Sequence, residues 1–130
     1  MNLVKQCVTK KYATFSGRAS RKEYWGFVLF YISLFFFIVI ADTIGGGFER
    51  DAAGDLLMSV WAAVIIVILS ILLFIPSLAV YVRRLHDTDH SAWWLFIGFI
   101  PIIGLIVLLY FLIIKGTEGT NRFGTDPLEK

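Results

Sequence analysis

The sequence predicts an all-α fold: a multi-pass membrane helical bundle of three transmembrane helices preceded by an amphipathic interfacial helix. Three observations carry that prediction. Hydrophobic residues make up 58% and charged residues 17% of the 130 positions, whereas soluble domains sit near roughly 45–50% and 25%. The charges are clustered and leave three long uncharged runs, each close to the roughly 17–25 apolar residues that a spanning helix needs. Lysine and arginine gather on one side: Lys5, Lys10, Lys11, Arg18, Arg21 and Lys22 precede Tyr24, and the first loop has only Arg50. A chain of this length makes one domain, and a soluble core of that size cannot hide three such runs.

Residues 1–20 form the interfacial segment. Leu3, Val4, Cys7, Val8 and Tyr12 recur at helical spacing, with Lys5, Gln6, Thr9 and Lys10 opposite, the pattern of a short helix in the headgroup plane. Ser20 followed by Glu23 has capping-box spacing, so a helix should start at Arg21. The first span covers 21–43 and starts too late and runs too long for a cleaved signal peptide. Gly45-Gly46-Gly47 should end it. The loop that follows carries Asp42, Glu49, Asp51 and Asp55 against Arg50 and reads as acidic and flexible.

The second span covers 57–82, with Pro76 expected to bend it near its end. Arg83 and Arg84 follow, where cations suit the helix macrodipole. If the helix persists one more turn, Arg83 and Asp87 are four apart and can pair. The third span covers 92–114, with Ser91 or Asp89 as its N-cap and Trp93 and Trp94 at the interface. Pro101 and Gly104 sit in mid-span. A single kinked helix is expected. The rival is a re-entrant hairpin broken at Pro101, which would need burial in protein because lipid cannot satisfy open backbone groups. Residues 115–130 are a tail rich in turn formers, expected to be ordered near the headgroups.

The distribution of cations places the N-terminus and the Arg83–Arg84 turn in the cytoplasm and the acidic loop outside. A net charge of +2 is too small to imply nucleic acid. A single cysteine, Cys7, excludes an intrachain disulfide and a multi-cysteine metal site. His86 and His90 are four apart, but Asp87-Thr88-Asp89 favours a turn between them and two arginines would repel a cation. No metal or other cofactor is expected.

The motifs Phe15-Ser16-Gly17-Arg18-Ala19-Ser20-Arg21-Lys22-Glu23-Tyr24-Trp25, Arg83-Arg84-Leu85-His86-Asp87, Ser91-Ala92-Trp93-Trp94, Ile100-Pro101-Ile102-Ile103-Gly104 and Gly119-Thr120-Asn121-Arg122-Phe123-Gly124 with Asp126-Pro127 stand in this order over nearly the whole chain. Together they resemble the domain of unknown function 805 family of small bacterial inner-membrane proteins. The family pattern has glycine where Asp89 and Ala92 stand. The resemblance implies a bacterial cytoplasmic-membrane location and brings no activity with it.

For function, the residues favour anion recognition. Arg18, Arg21, Lys22, Arg83 and Arg84 should share one membrane face, and arginine grips phosphate through two parallel donors. Glu23 and Asp87 would hold those side chains, with His86 and Asn121 beside them. The expected partners are the lipid bilayer, anionic phospholipid headgroups and a second copy of the chain, since Gly98 and Gly104 allow close helix approach. The expected role is a non-catalytic integral component that binds anionic lipids or a membrane partner. Two alternatives are an enzyme acting on a lipid headgroup through His86 and Asp87, and a subunit of an oligomeric transporter or channel. Against transport, no Asp, Glu, Lys, Arg or His lies within the three apolar runs.

Overall fold

A computed structural model of the chain describes residues 3–47, 49–50 and 56–129. The all-helical bundle expected from the sequence is what forms. Helix α1 (Leu3–Val8) is followed by α2 (Arg21–Ile44), the two-residue strands β1 (Glu49–Arg50) and β2 (Leu56–Leu57), α3 (Val60–Asp87), a 3-10 helix (Ala92–Phe99) and α4 (Ile103–Ile113). Two helices are long and apolar enough to cross a membrane, α2 with 24 residues and α3 with 28. At helical rise they measure about 36 and 42 Å, against about 30 Å of hydrocarbon. Only 17% and 22% of their most apolar windows are buried, so neither is the core helix of a soluble protein.

The contacts divide the chain into two compact units, Val28–Phe74 and the pairing of Met1–Phe27 with Ile75–Lys130. In the first of these, α2 ends as the glycine run predicts. Gly46 takes φ +72, and the Gly45, Gly46 and Gly47 amides return to the Ala41, Thr43 and Asp42 carbonyls at 2.9, 3.2 and 2.8 Å. Asp42 falls inside the expected 21–43 span and not in the loop that follows it. It lies in the last turns of α2, fully buried, and its carboxylate accepts from the Ser59 hydroxyl and, at 3.2 Å, the Ser59 amide. It therefore holds Ser59, the residue that precedes α3, from across the connection. β1 and β2 pair antiparallel, with Glu49 opposite Leu57. The expectation of a flexible acidic loop rests on Asp51 and Asp55, which lie outside the described residues.

The second unit gathers α1, the start of α2, the end of α3, the 92–114 segment and the tail. Helix α2 begins at Arg21 as the cap predicts, and the Ser20 hydroxyl accepts the Glu23 amide at 3.3 Å. Helix α3 continues through Pro76 and past the expected end at Val82, so Arg83 to Asp87 are its last turn. The chain then reverses at Asp89, whose φ of +59 is left-handed. Aspartate tolerates that region better than most residues, so it serves where the family pattern places glycine.

The 92–114 segment is not one kinked helix. It is a 3-10 helix and a short α-helix separated at Ile100-Pro101-Ile102 and packed against each other. Ile102 takes φ +66, which turns the chain back where a proline kink alone would only bend it. Gly104 makes the reversal fit: a Cβ there would collide with the Ile97 carbonyl oxygen and stand 3.0 Å from the Gly98 Cα. Gly104, expected to admit a second copy, is thus filled from within the hairpin.

Candidate functional site: a buried ion network where α3 ends

Five charged side chains from three stretches of sequence meet at the end of α3, each no more than 6% exposed: Arg18, Glu23, Arg83, Arg84 and Asp87. Burial of charge is tolerable only with close partners, and each has them. Asp87 accepts from Arg84 one turn earlier and from Arg18 Nε at 3.0 Å. Glu23 accepts from Arg83 and, at 3.3 Å, from the half-buried Lys11. The sequence suggested Arg83 with Asp87, four apart on one helix. The helix does persist, but Arg83 turns to α2 and Asp87 takes Arg84 at three residues' spacing. The Glu23 carboxylate accordingly never reaches back to the Ser20 amide, and only half of the capping box forms.

The remaining guanidinium donors of Arg84 and Arg18 go to backbone carbonyls. Arg84 is fully buried. Its Nε donates to the Leu112 carbonyl at 3.2 Å and its Nη2 to that of Ile114. Those are orphan acceptors at the C-terminus of α4, where the helix dipole also favours a cation. Arg18 donates to the Thr117 and Gly119 carbonyls, both at 2.5 Å, and to that of Gly124 at 3.4 Å. The Ala19 amide bonds the Arg83 carbonyl at 2.9 Å, which seats the loop carrying Arg18 against the end of α3. Among the described residues, the buried Arg83 Nε alone is a side-chain polar atom without a hydrogen-bond partner.

His86 and Asn121 fasten the tail. The His86 Nδ1 lies 3.2 Å from the Gly17 carbonyl; a carbonyl only accepts, so Nδ1 carries the proton. The ring stacks on Phe123, 3.9 Å between centroids and 4° from parallel. Asn121 Nδ2 donates to the His86 carbonyl at 2.9 Å and to the Thr117 hydroxyl at 2.8 Å, and its Oδ1 accepts the Phe123 amide. Thr117 bonds the Asp87 carbonyl through its amide at 2.9 Å. Gly116 lies so close that a Cβ would strike the Asp87 carboxylate. The tail is the ordered turn segment expected, with Asn121 bridged to Gly124.

Of the eight residues singled out from sequence, Arg18, Glu23, Arg83, Arg84, His86, Asp87 and Asn121 are therefore brought together. Arg21 stands apart, exposed, with only a 3.5 Å contact to the Ile113 carbonyl. Sequence reasoning missed Cys7, Lys11, Thr117 and Phe123. In the sequence Lys11 is one more cation of the topology signal, and Cys7 is one more apolar position on α1. Its Sγ lies 3.5 Å from Glu23 and 3.8 Å from Arg83. Burial pushes the Cys7 thiol up from its ordinary value; the Glu23 carboxylate adds to the rise and Arg83 opposes it. The thiolate is the reactive form. At pH 7.5 native protein should therefore alkylate roughly tenfold or more slowly than an exposed thiol, with ordinary reactivity returning in denaturing detergent. A maleimide time course in both states checks this.

Four cations face two carboxylates in this network, and both carboxylates are taken. The cleft beside it, lined by Ser20, Arg21, Asp87, Lys115, Gly116, Asp126 and Leu128, has about 20 Å³. That volume admits a single water and no lipid headgroup. The network's evident work is to bind the N-terminal loop, two long helices, the hairpin and the tail to one another.

Two apolar crossing helices, with the ionic side chains of this unit confined to the helix ends, define a polytopic membrane protein. The chain belongs to the family described as Protein of unknown function (DUF805), whose model matches residues 12–125. It is 42% identical over 120 residues to inner membrane protein YhaH of Escherichia coli strain K12, covering 92% of each chain. It is 39% identical over 120 residues to inner membrane protein YhaI of the same strain, covering 92% of this chain and 91% of that relative. No solved structure matches. The chain is thus a multi-pass bacterial inner-membrane protein; its composition predicted the membrane, and the family resemblance implied which one.

Proposed function

We propose that the protein is a non-catalytic integral membrane component that binds anionic phospholipid headgroups at the face carrying its ion network. The buried residues Arg18, Glu23, Arg83, Arg84 and Asp87, with His86 and Asn121, build the platform. The exposed cations deliver the contact. One observation carries this division. Both carboxylates are held by internal partners, whereas Lys5, Lys10, Arg21 and Lys22 are exposed and make no ion pair among the described residues. Each cation at a membrane surface contributes on the order of 1 kcal/mol of attraction to anionic lipid. By the distribution of Lys and Arg this face is cytoplasmic. Arg84 holds the end of α4 there, so the tail shares that side.

The test is thermal stability in micelles supplemented with phosphatidylglycerol or phosphatidylcholine. Phosphatidylglycerol should raise the Tm more, and added salt should shrink the difference. The Arg21→Gln/Lys22→Gln variant should lose most of the difference while keeping its Tm in phosphatidylcholine. Equal stabilisation of the unmodified protein by both lipids would refute the proposal.

A further inference from the structure

The hairpin at 92–114 has properties that a segment needing a protein cover lacks. Its arms match in length: eight residues of 3-10 helix and eleven of α-helix each measure about 16 Å, half the depth of the hydrocarbon core. Both ends lie at the end of α3. The first arm follows the Asp89 turn directly, and the Ile114 carbonyl at the end of the second is bound by Arg84. The tip closes several of its own backbone bonds. The carbonyls of Ile100, Pro101 and Ile102 accept from Gly104, Ile103 and Ile106 at 2.9, 2.7 and 3.0 Å, and the Ile100 amide donates to Ile97 at 2.9 Å. Pro101 has no amide hydrogen to satisfy. A re-entrant tip is normally excluded from lipid because its backbone groups are open; here the carbonyls of Ile100, Pro101 and Ile102 are closed.

The side chains fit the same reading. No residue of the 3-10 helix is buried, and Phe99 and Ile102 at the tip are 81% and 74% exposed. At the root of the hairpin an open groove of about 330 Å³ runs between Phe15, Leu78 and Val82 on one side and Trp93 and Phe96 on the other. Leu78 and Val82 belong to α3, so the outer surface of the hairpin continues the apolar surface of a membrane-crossing helix.

We propose that residues 92–114 are a lipid-facing re-entrant insert that occupies a single leaflet. Its partner is the acyl chains of that leaflet, which also fill the groove at its root. The test uses Phe99→Cys and Trp93→Cys, each carrying a nitroxide, in the full chain with buried Cys7 left in place, reconstituted in vesicles of phosphatidylglycerol and phosphatidylcholine. Both positions are exposed, so the labels can be attached and collide with either reagent. The ratio of oxygen to nickel-complex collisions should be several-fold higher at 99 than at 93. Equal ratios would place the hairpin flat among the headgroups and overturn the proposal. Shielding of the 99 label from both reagents would mean a second copy covers the tip, and would overturn it equally. Lys10→Cys and Glu129→Cys should react with an impermeant maleimide from the same side of the vesicle; labelling from opposite sides would mean a third crossing and also refutes it.

Discussion

Asp87→Ala is expected to be the most damaging single substitution in the chain. It leaves the Arg18 and Arg84 guanidiniums buried without their carboxylate, and removing one partner of a buried ion pair costs about 3–5 kcal/mol. At about 1.4 kcal/mol per factor of ten, the folding equilibrium would shift by two to nearly four orders of magnitude. The measurements are the amount of protein in the membrane and the detergent concentration at which it unfolds; both should fall sharply. Asp87→Asn should do less harm, since the amide oxygen still accepts a hydrogen bond. Arg84→Met/Asp87→Leu should also do less than Asp87→Ala, because an apolar pair strands no charge between those two positions. If Asp87→Ala unfolds like the unmodified protein, the network contributes nothing to the fold.

Gly104→Ala comes second. The added methyl would meet the Ile97 carbonyl, the Ile97 carbonyl carbon at 2.7 Å and the Gly98 Cα at 3.0 Å. All three are backbone atoms, so no rotamer change relieves the clash and the two arms must part. Overpacking of this kind costs about 1–3 kcal/mol, and the arms have no other glycine pair to re-seat on. Spin labels at Phe96 and Leu105 should report a longer, broader distance distribution in the variant. Gly98→Ala is the control: its Cβ would meet only the Leu108 Cδ1, at 3.2 Å, a side-chain tip that can yield. Equal effects at both positions would show that close backbone approach is not what holds the hairpin.

The parts of the fold set by local chemistry were readable. The start of α2 follows from the Ser20 hydroxyl three residues before an amide, and its end from three glycines. The clustering of charge at helix ends follows from the cost of placing it in hydrocarbon. What could not be read depends on tertiary choice. Arg83 had a sequence-local partner in Asp87 and a distant one in Glu23, and nothing in the spacing ranks a buried partner on another helix above one a turn away. Pro101 announced an interruption, but reversal rather than bending came from a left-handed Ile102, a conformation that β-branched residues rarely signal. The site was legible for its charged members other than Lys11 and not for its acceptors. Arg18 and Arg84 rest largely on carbonyls of residues 112–124, and a carbonyl carries no residue type.

Arg18 belongs to the first fifth of the chain, yet three of its acceptors lie between Thr117 and Gly124. A ribosome therefore releases the cation long before it releases the atoms that shelter it. Throughout that interval the guanidinium lacks those three carbonyls, and the assembled state stays out of reach. Closure waits for residues 117–124, so a product cut short before residue 117 would leave Arg18 without three of its acceptors and stand apart from longer molecules by that exposure.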